Sequence, residues 1–145
     1  MSGFKFELKG LEEVLEQLGT SKLEKEITVT LEAFGRAVVM DAKNNISLNG
    51  TVDNGFLTNS IGSETLSPMT VSIFANIDYA AYVEFGTGPY AARYVPSLEP
   101  GWQALARTFY VNGKGRMPAQ PFFHPAFEKN RLLLLDDLRD LLQKK

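Results

Sequence analysis

In FKFEL, Phe4, Phe6 and Leu8 alternate with Lys5 and Glu7, the period of two that marks a strand with one buried face. Leu11, Val14, Leu15 and Leu18 then recur at helical spacing and Gly19 follows, predicting one short amphipathic helix with a glycine stop. SKLE reads as a capping box, in which the Ser21 hydroxyl accepts from the Glu24 amide and the Glu24 carboxylate returns to the amide of Ser21. Leu23, Ile27, Leu31, Phe34, Val38 and Ala42 continue on one face, so a long helix is predicted as far as about Asn45. Gly35 inside it costs about 1 kcal/mol relative to alanine, which points to close packing at that position.

TVDNGFLTNSI places Asp53 as a cap and Asn54-Gly55 at a tight turn before a brief helical stretch. Ile61 to Leu66 and Val71 to Ile77 read as two strands joined at Ser67-Pro68. Val71, Ile73, Ala75 and Ile77 share a face, while Ser72, Asn76 and Asp78 take the other, with Phe74 the apolar exception. A hairpin with one apolar face needs a cover, and the long helix supplies it. The expected class is α+β, a small antiparallel sheet packed against one long helix, in one domain spanning residues 1–145.

In YAAYVEFGTGPYAA, Ala80 to Phe85 make one or two helical turns with Tyr82 and Phe85 on one side, and Gly86 ends them. A phosphate loop would put its glycines ahead of a helix and carry a Lys-Ser or Lys-Thr pair. Pro89 follows here and no helix is expected after it, so nucleotide binding is rejected. From Pro89 to Arg116 prolines and glycines interrupt the pattern, and the segment reads as a long extended arm or loop inserted in the domain (89–116). The closing helix is expected from near Phe122, with Pro125 in its first turn and a stripe of Leu134, Leu138, Leu141 and Leu142 beside Leu135. Leu57, Ile73, Tyr82, Phe85 and Phe122 are expected in or near the core.

The 145 residues, 44% hydrophobic and 22% charged, describe a globular chain. MSGFKFELKG lacks the apolar core of a signal peptide, no run approaches a membrane span, and zero cysteines exclude disulfides and thiolate metal sites. The net charge of −2 gives no sign of nucleic-acid affinity, yet its distribution is uneven. Lys and Arg are absent between Lys43 and Arg93, where Asp53, Glu64, Asp78 and Glu84 fall. From Gly86 to Phe127, Arg93, Arg107, Lys114 and Arg116 face only Glu99. Chance on a solvated surface explains such a split as readily as contact between a basic arm and an acidic counter-surface. The arm also carries Tyr90, Tyr94, Trp102, Phe109 and Tyr110, and aromatics with arginine are the residues that anchor interfaces.

Chemistry is harder to find. The single histidine, His124, has no companion visible in the sequence and reads as structural or surface-exposed. Asp136 and Asp140 share a helix face, ordinarily a solvated one. No GxSxG elbow is present. No catalytic, cofactor or metal site is expected, and the chain reads as a non-enzyme.

Three segments together resemble a family. VDNGFLTNSI is similar to the Asp-Thr-Gly-x-Leu-x-x-Ser-Ile signature of tailed-phage neck proteins, the head–tail joining or tail-completion group. YAAYVEFGT resembles that family's central signature, and MPAQPFFHPAF its closing one, where Pro-Phe starts the last helix. Asn54 stands where the family usually has Thr, and about thirty residues separate the Gly-Thr from the Met-Pro where many members have almost none. The resemblance implies a virion or prophage structural protein made in the host bacterial cytoplasm. It implies a ring of copies, six-fold in the virion, between the head connector and the tail-terminator or tail-tube proteins, with DNA passing through the lumen. A small-ligand enzyme or DNA-binding prophage domain is the alternative, to be separated by ligand-induced thermal shifts and salt-dependent DNA affinity.

Overall fold

The computed structural model describes residues 3–8, 21–50, 55–109 and 115–143. Its sheet has three antiparallel strands in the order β1-β3-β2: β1 (Phe4–Leu8), β2 (Ile61–Ser67) and β3 (Thr70–Ala75). Phe6 and Ser63 both pair with Ile73, so the Phe4 and Phe6 face joins the Ile73 and Ala75 face, as the alternation predicts, while the side chain of Leu8 lies outside the described residues. The α+β class and the helix-covered sheet agree with the sequence.

Helix α1 (Ser21–Asn49) covers that face and buries Leu23, Ile27, Leu31, Phe34, Val38, Ala42 and Ile46. It passes the expected end at Asn45 because Ile46 is still buried and Asn45 and Asn49 donate to the Phe122 and Pro121 carbonyls at 3.1 and 2.9 Å. A Cβ on Gly35 would lie 3.1 Å from both Ser63 Cβ and Val71 Cγ1, so helix and sheet approach tightly at this glycine. The β2–β3 turn is pinned by the same helix: Met69, at φ 63, donates its amide to Thr28 Oγ1 at 3.0 Å and buries its side chain.

Gly55, at φ 85, opens the short helix α2 (Phe56–Ser60), whose Leu57 is fully buried. Asp53 and Asn54, and the helix expected over Leu11 to Leu18, lie outside the described residues. Helix α3 (Ala80–Phe85) turns Ala80, Ala81, Val83, Glu84 and Phe85 inward and leaves only Tyr82 facing out, 40% exposed. The expectation of a core Tyr82 is therefore corrected, whereas Leu57, Ile73, Phe85 and Phe122 are all buried.

The largest correction concerns residues 89–116. A helix does open after the glycines, α4 (Gly88–Tyr94), followed by a 3-10 turn (Val95–Ser97) and α5 (Pro100–Phe109). Pro89, Pro96 and Pro100 stand at or next to the starts of these pieces, where a missing amide proton costs nothing. Ala91, Val95, Leu98, Trp102 and Ala106 are all buried, a helical spacing that runs straight through the prolines. Residues 89–109 are thus folded helical pieces packed on the core rather than an extended arm, and 110–114 lie outside the described residues.

The last helix, α6 (Phe123–Gln143), packs along α1, with Asn130 Nδ2 donating to Asp41 Oδ2 at 2.8 Å. Aromatic rings join the layers: Phe6 meets Trp102 at 4.5 Å and Phe127 at 5.2 Å between centroids, and Phe4 meets Phe123 edge-on at 5.1 Å. Among the described residues, no helix is long and apolar enough to cross a membrane.

Candidate functional site

YVEFGT and MPAQPFFHPAF meet in space. Helix α3 aims the Glu84 side chain into the protein, where it is fully buried. Its Oε1 accepts from the amides of Phe122 at 3.1 Å and Phe123 at 2.7 Å, and its Oε2 from that of His124 at 3.2 Å. These are the donors that the start of α6 leaves without a partner in its own helix, and a carboxylate there also suits the positive helix end. Burial pushes the Glu84 carboxyl up to about 7, against the pull of the three amides. Burial and the Glu84 and Glu99 carboxylates push the nearby Tyr94 phenol up to about 12.

The backbone completes the junction. Gln120 donates to the Val83 carbonyl at 2.7 Å, Thr87 donates to the Met117 carbonyl at 2.9 Å, and Met117 donates to Thr87 Oγ1 at 2.7 Å. A Cβ on Gly86, at φ 78, would come within 2.9 Å of the Ala119 amide nitrogen and 3.0 Å of the Met117 carbonyl oxygen. The glycine of FGT thus admits a crossing strand of backbone.

Most of the residues singled out in the sequence do not converge. Glu84 is corrected from an acidic counter-surface to an internal helix cap, since no part of it reaches solvent. Trp102 is corrected from an interface anchor to a core residue, only 4% exposed, tilted against Phe6 and edge-on to Phe123 and Phe127. Tyr94 is half-buried against the same core. Tyr90, Arg93, Arg107 and Arg116 are exposed, as are Glu64 and Asp78. Asp53, Tyr110 and Lys114, and the side chain of Phe109, lie outside the described residues.

The structure adds two features. His124 has companions after all: its Nε2 lies 2.9 Å from Glu99 Oε2, and Glu128 stands one helical turn further along α6. The hydrogen bond from His124 holds the exposed Glu99 carboxyl below the usual carboxylate range. The spacing of His124 and Glu128, four apart on a helix, was readable; the approach of Glu99 was not.

The second feature is apolar surface. Of the expected α6 stripe, Leu134 is buried and Leu138 and Leu141 pack partly on the core, but Leu142 is exposed. Leu132, Leu133 and Leu135 keep between 44% and 59% exposure. Near the start of α1, an open cleft of about 570 Å³ is lined by Val29, Leu66 and Pro68 together with Glu24, Lys25 and Thr28 among others, and its exposed lining atoms are mostly apolar.

A family model described as "HK97-gp10_like: Bacteriophage HK97-gp10, putative tail-component" matches residues 9–86, more than half of the chain. No curated protein and no solved structure matches. The matched span takes in α1, the sheet hairpin and α3 as far as Gly86, and it stops just before the inserted helices α4 and α5. The chain belongs to the HK97-gp10-like family.

Proposed function

We propose that this family member is a structural, non-enzymatic protein of the phage or prophage neck. It forms a ring, six-fold in the virion, that joins the head connector to the tail and leaves a lumen for DNA. Its partners are further copies of itself, the head connector and the tail-terminator or tail-tube proteins. It is made in the bacterial cytoplasm before it enters the virion neck.

The observation that carries this reading is the outer face of α6. Leu132, Leu135 and Leu142 lie at i, i+3 and i+10, which places them on one side of the helix, away from buried Leu134. Arg139 stands on the same side between Leu135 and Leu142, and Asp136 lies beside Leu132, so this exposed face mixes leucines with a charged pair, as protein–protein interfaces do. Exposed Tyr90 and Met117, both bonded to Thr87, and exposed Arg116 add aromatic, apolar and basic surface, and Arg93 is exposed further along α4.

Electron microscopy of lysates from a phage or prophage deleted for this gene tests the reading. Filled heads and finished tails should accumulate unjoined, and the wild-type gene should restore joining. A Leu132→Asp, Leu135→Asp double variant should fold yet fail to restore it. Joined, infectious particles in the absence of the protein would overturn the proposal.

A further inference from the structure

A further cluster of side chains shares His124 with the Glu84 junction, and it is independent of the neck reading. The Glu99 carboxylate, the His124 imidazole and the Glu128 carboxylate each offer one donor atom, and these atoms all lie within 4.8 Å of one another. They come from two elements, Glu99 from the residue ahead of α5 and the other two from the first turns of α6. We propose that Glu99, His124 and Glu128 bind a divalent first-row transition ion of the zinc class, clamping the inserted helix α5 to the last helix.

The chemistry of the donors selects the ion. One imidazole nitrogen with two carboxylate oxygens suits zinc and its neighbours better than the all-oxygen shells preferred by magnesium or calcium. Three protein ligands with water in the fourth position is a common zinc arrangement. At bond lengths near 2.1 Å, tetrahedral donors stand about 3.4 Å apart. The 2.9 Å separation of His124 Nε2 and Glu99 Oε2 therefore has to open slightly, and Glu128 has to close in.

The scaffold is already ordered. The His124 amide is held by Glu84, and its ring packs edge-on against Trp102 with centroids 4.8 Å apart. The Glu99 carbonyl accepts from the Gln103 amide at 3.0 Å, which fixes the backbone at the start of α5. Arg131 is the competitor, paired with Glu128 at 3.4 Å. Its side chain is 45% exposed and is free to swing into solvent when a cation takes its place.

Trp102 is the chain's single tryptophan, so its fluorescence reports on this site directly. Untagged full-length protein at pH 7.5, first stripped with EDTA and then freed of it, is titrated with Co²⁺, a paramagnetic quencher, and Zn²⁺ is then added as competitor. The expected result is saturable quenching at one Co²⁺ per chain, reversed by Zn²⁺ but not by excess Mg²⁺. Glu99→Gln and Glu128→Gln each alter a partly exposed side chain and should weaken Co²⁺ binding by about 10-fold or more. Their metal-free emission and melting curves should match wild type. Absence of saturable quenching overturns the site, as does quenching that both variants retain unchanged or that Zn²⁺ fails to reverse.

Discussion

Glu84 Oε1 stands 2.7 Å from the amide nitrogen of Phe123, and this contact ties the central segment of the chain to the start of its last helix, 39 residues on. Together with the bonds to Phe122 and His124, it means that one buried carboxylate satisfies the three amides at that helix start. Removing the acceptor strands those donors away from water. Glu84→Ala should therefore cost more than about 3 kcal/mol, and Glu84→Gln, which keeps one oxygen, about 1–3 kcal/mol. Urea denaturation of both variants at pH 6 measures this, and a loss below 0.5 kcal/mol in the alanine variant would refute the junction's importance.

The same residue predicts a pH dependence. Folding raises the Glu84 carboxyl from 4.5 to about 7, so the folded chain holds that proton more tightly than the unfolded chain. The resulting stabilisation is complete below about pH 4.5, declines as pH rises, and is lost once pH has passed through about 7. Its scale is on the order of 3 kcal/mol. Oε2, with a single amide partner, is the atom able to carry the proton. In buffers containing EDTA, the urea midpoint of wild type should fall between pH 5 and pH 8, while that of Glu84→Gln stays flatter. A wild-type midpoint that climbs over this interval contradicts the prediction.

Gly35 provides a test of packing away from the junction. A Cβ there would already lie 3.1 Å from Ser63 and Val71, and a branched side chain would force α1 off the sheet. Gly35→Val should cost about 1–3 kcal/mol by overpacking, despite removing a glycine from a helix. Equal or greater stability in thermal unfolding would show that helix and sheet are not in close contact there.

The inserted helices make the opposite prediction from an extended arm. Trp102 touches Phe6, Phe123 and Phe127, so Trp102→Ala should cost about 3–5 kcal/mol. Replacing Tyr90 to Lys114 with a short Gly-Ser bridge should abolish cooperative unfolding, where a free arm would leave a stable domain behind. Calorimetry separates the two: a sharp transition near the wild-type temperature would restore the arm.

Periodicity over neighbouring residues was enough to place β1, α1, the β2–β3 hairpin, α3 and α6, because amphipathic spacing and local capping depend on residues that are close along the chain. The same is true of Gly35, whose awkward place in a helix points to a close neighbour without saying which one. Residues 89–116 misled because prolines and glycines are read as breaks. The helical spacing of Ala91, Val95, Leu98, Trp102 and Ala106 passes through them, since proline is tolerated wherever a short helix begins. Glu84 and His124 show the other limit. An acidic residue in an acidic stretch looks like surface until the chain brings three amides to it from 38 to 40 residues away. A lone histidine looks idle until folding carries Glu99 to within 2.9 Å of its ring. Burial and hydrogen-bond partners are set by which segments pack together, and that long-range choice has no periodicity along the chain.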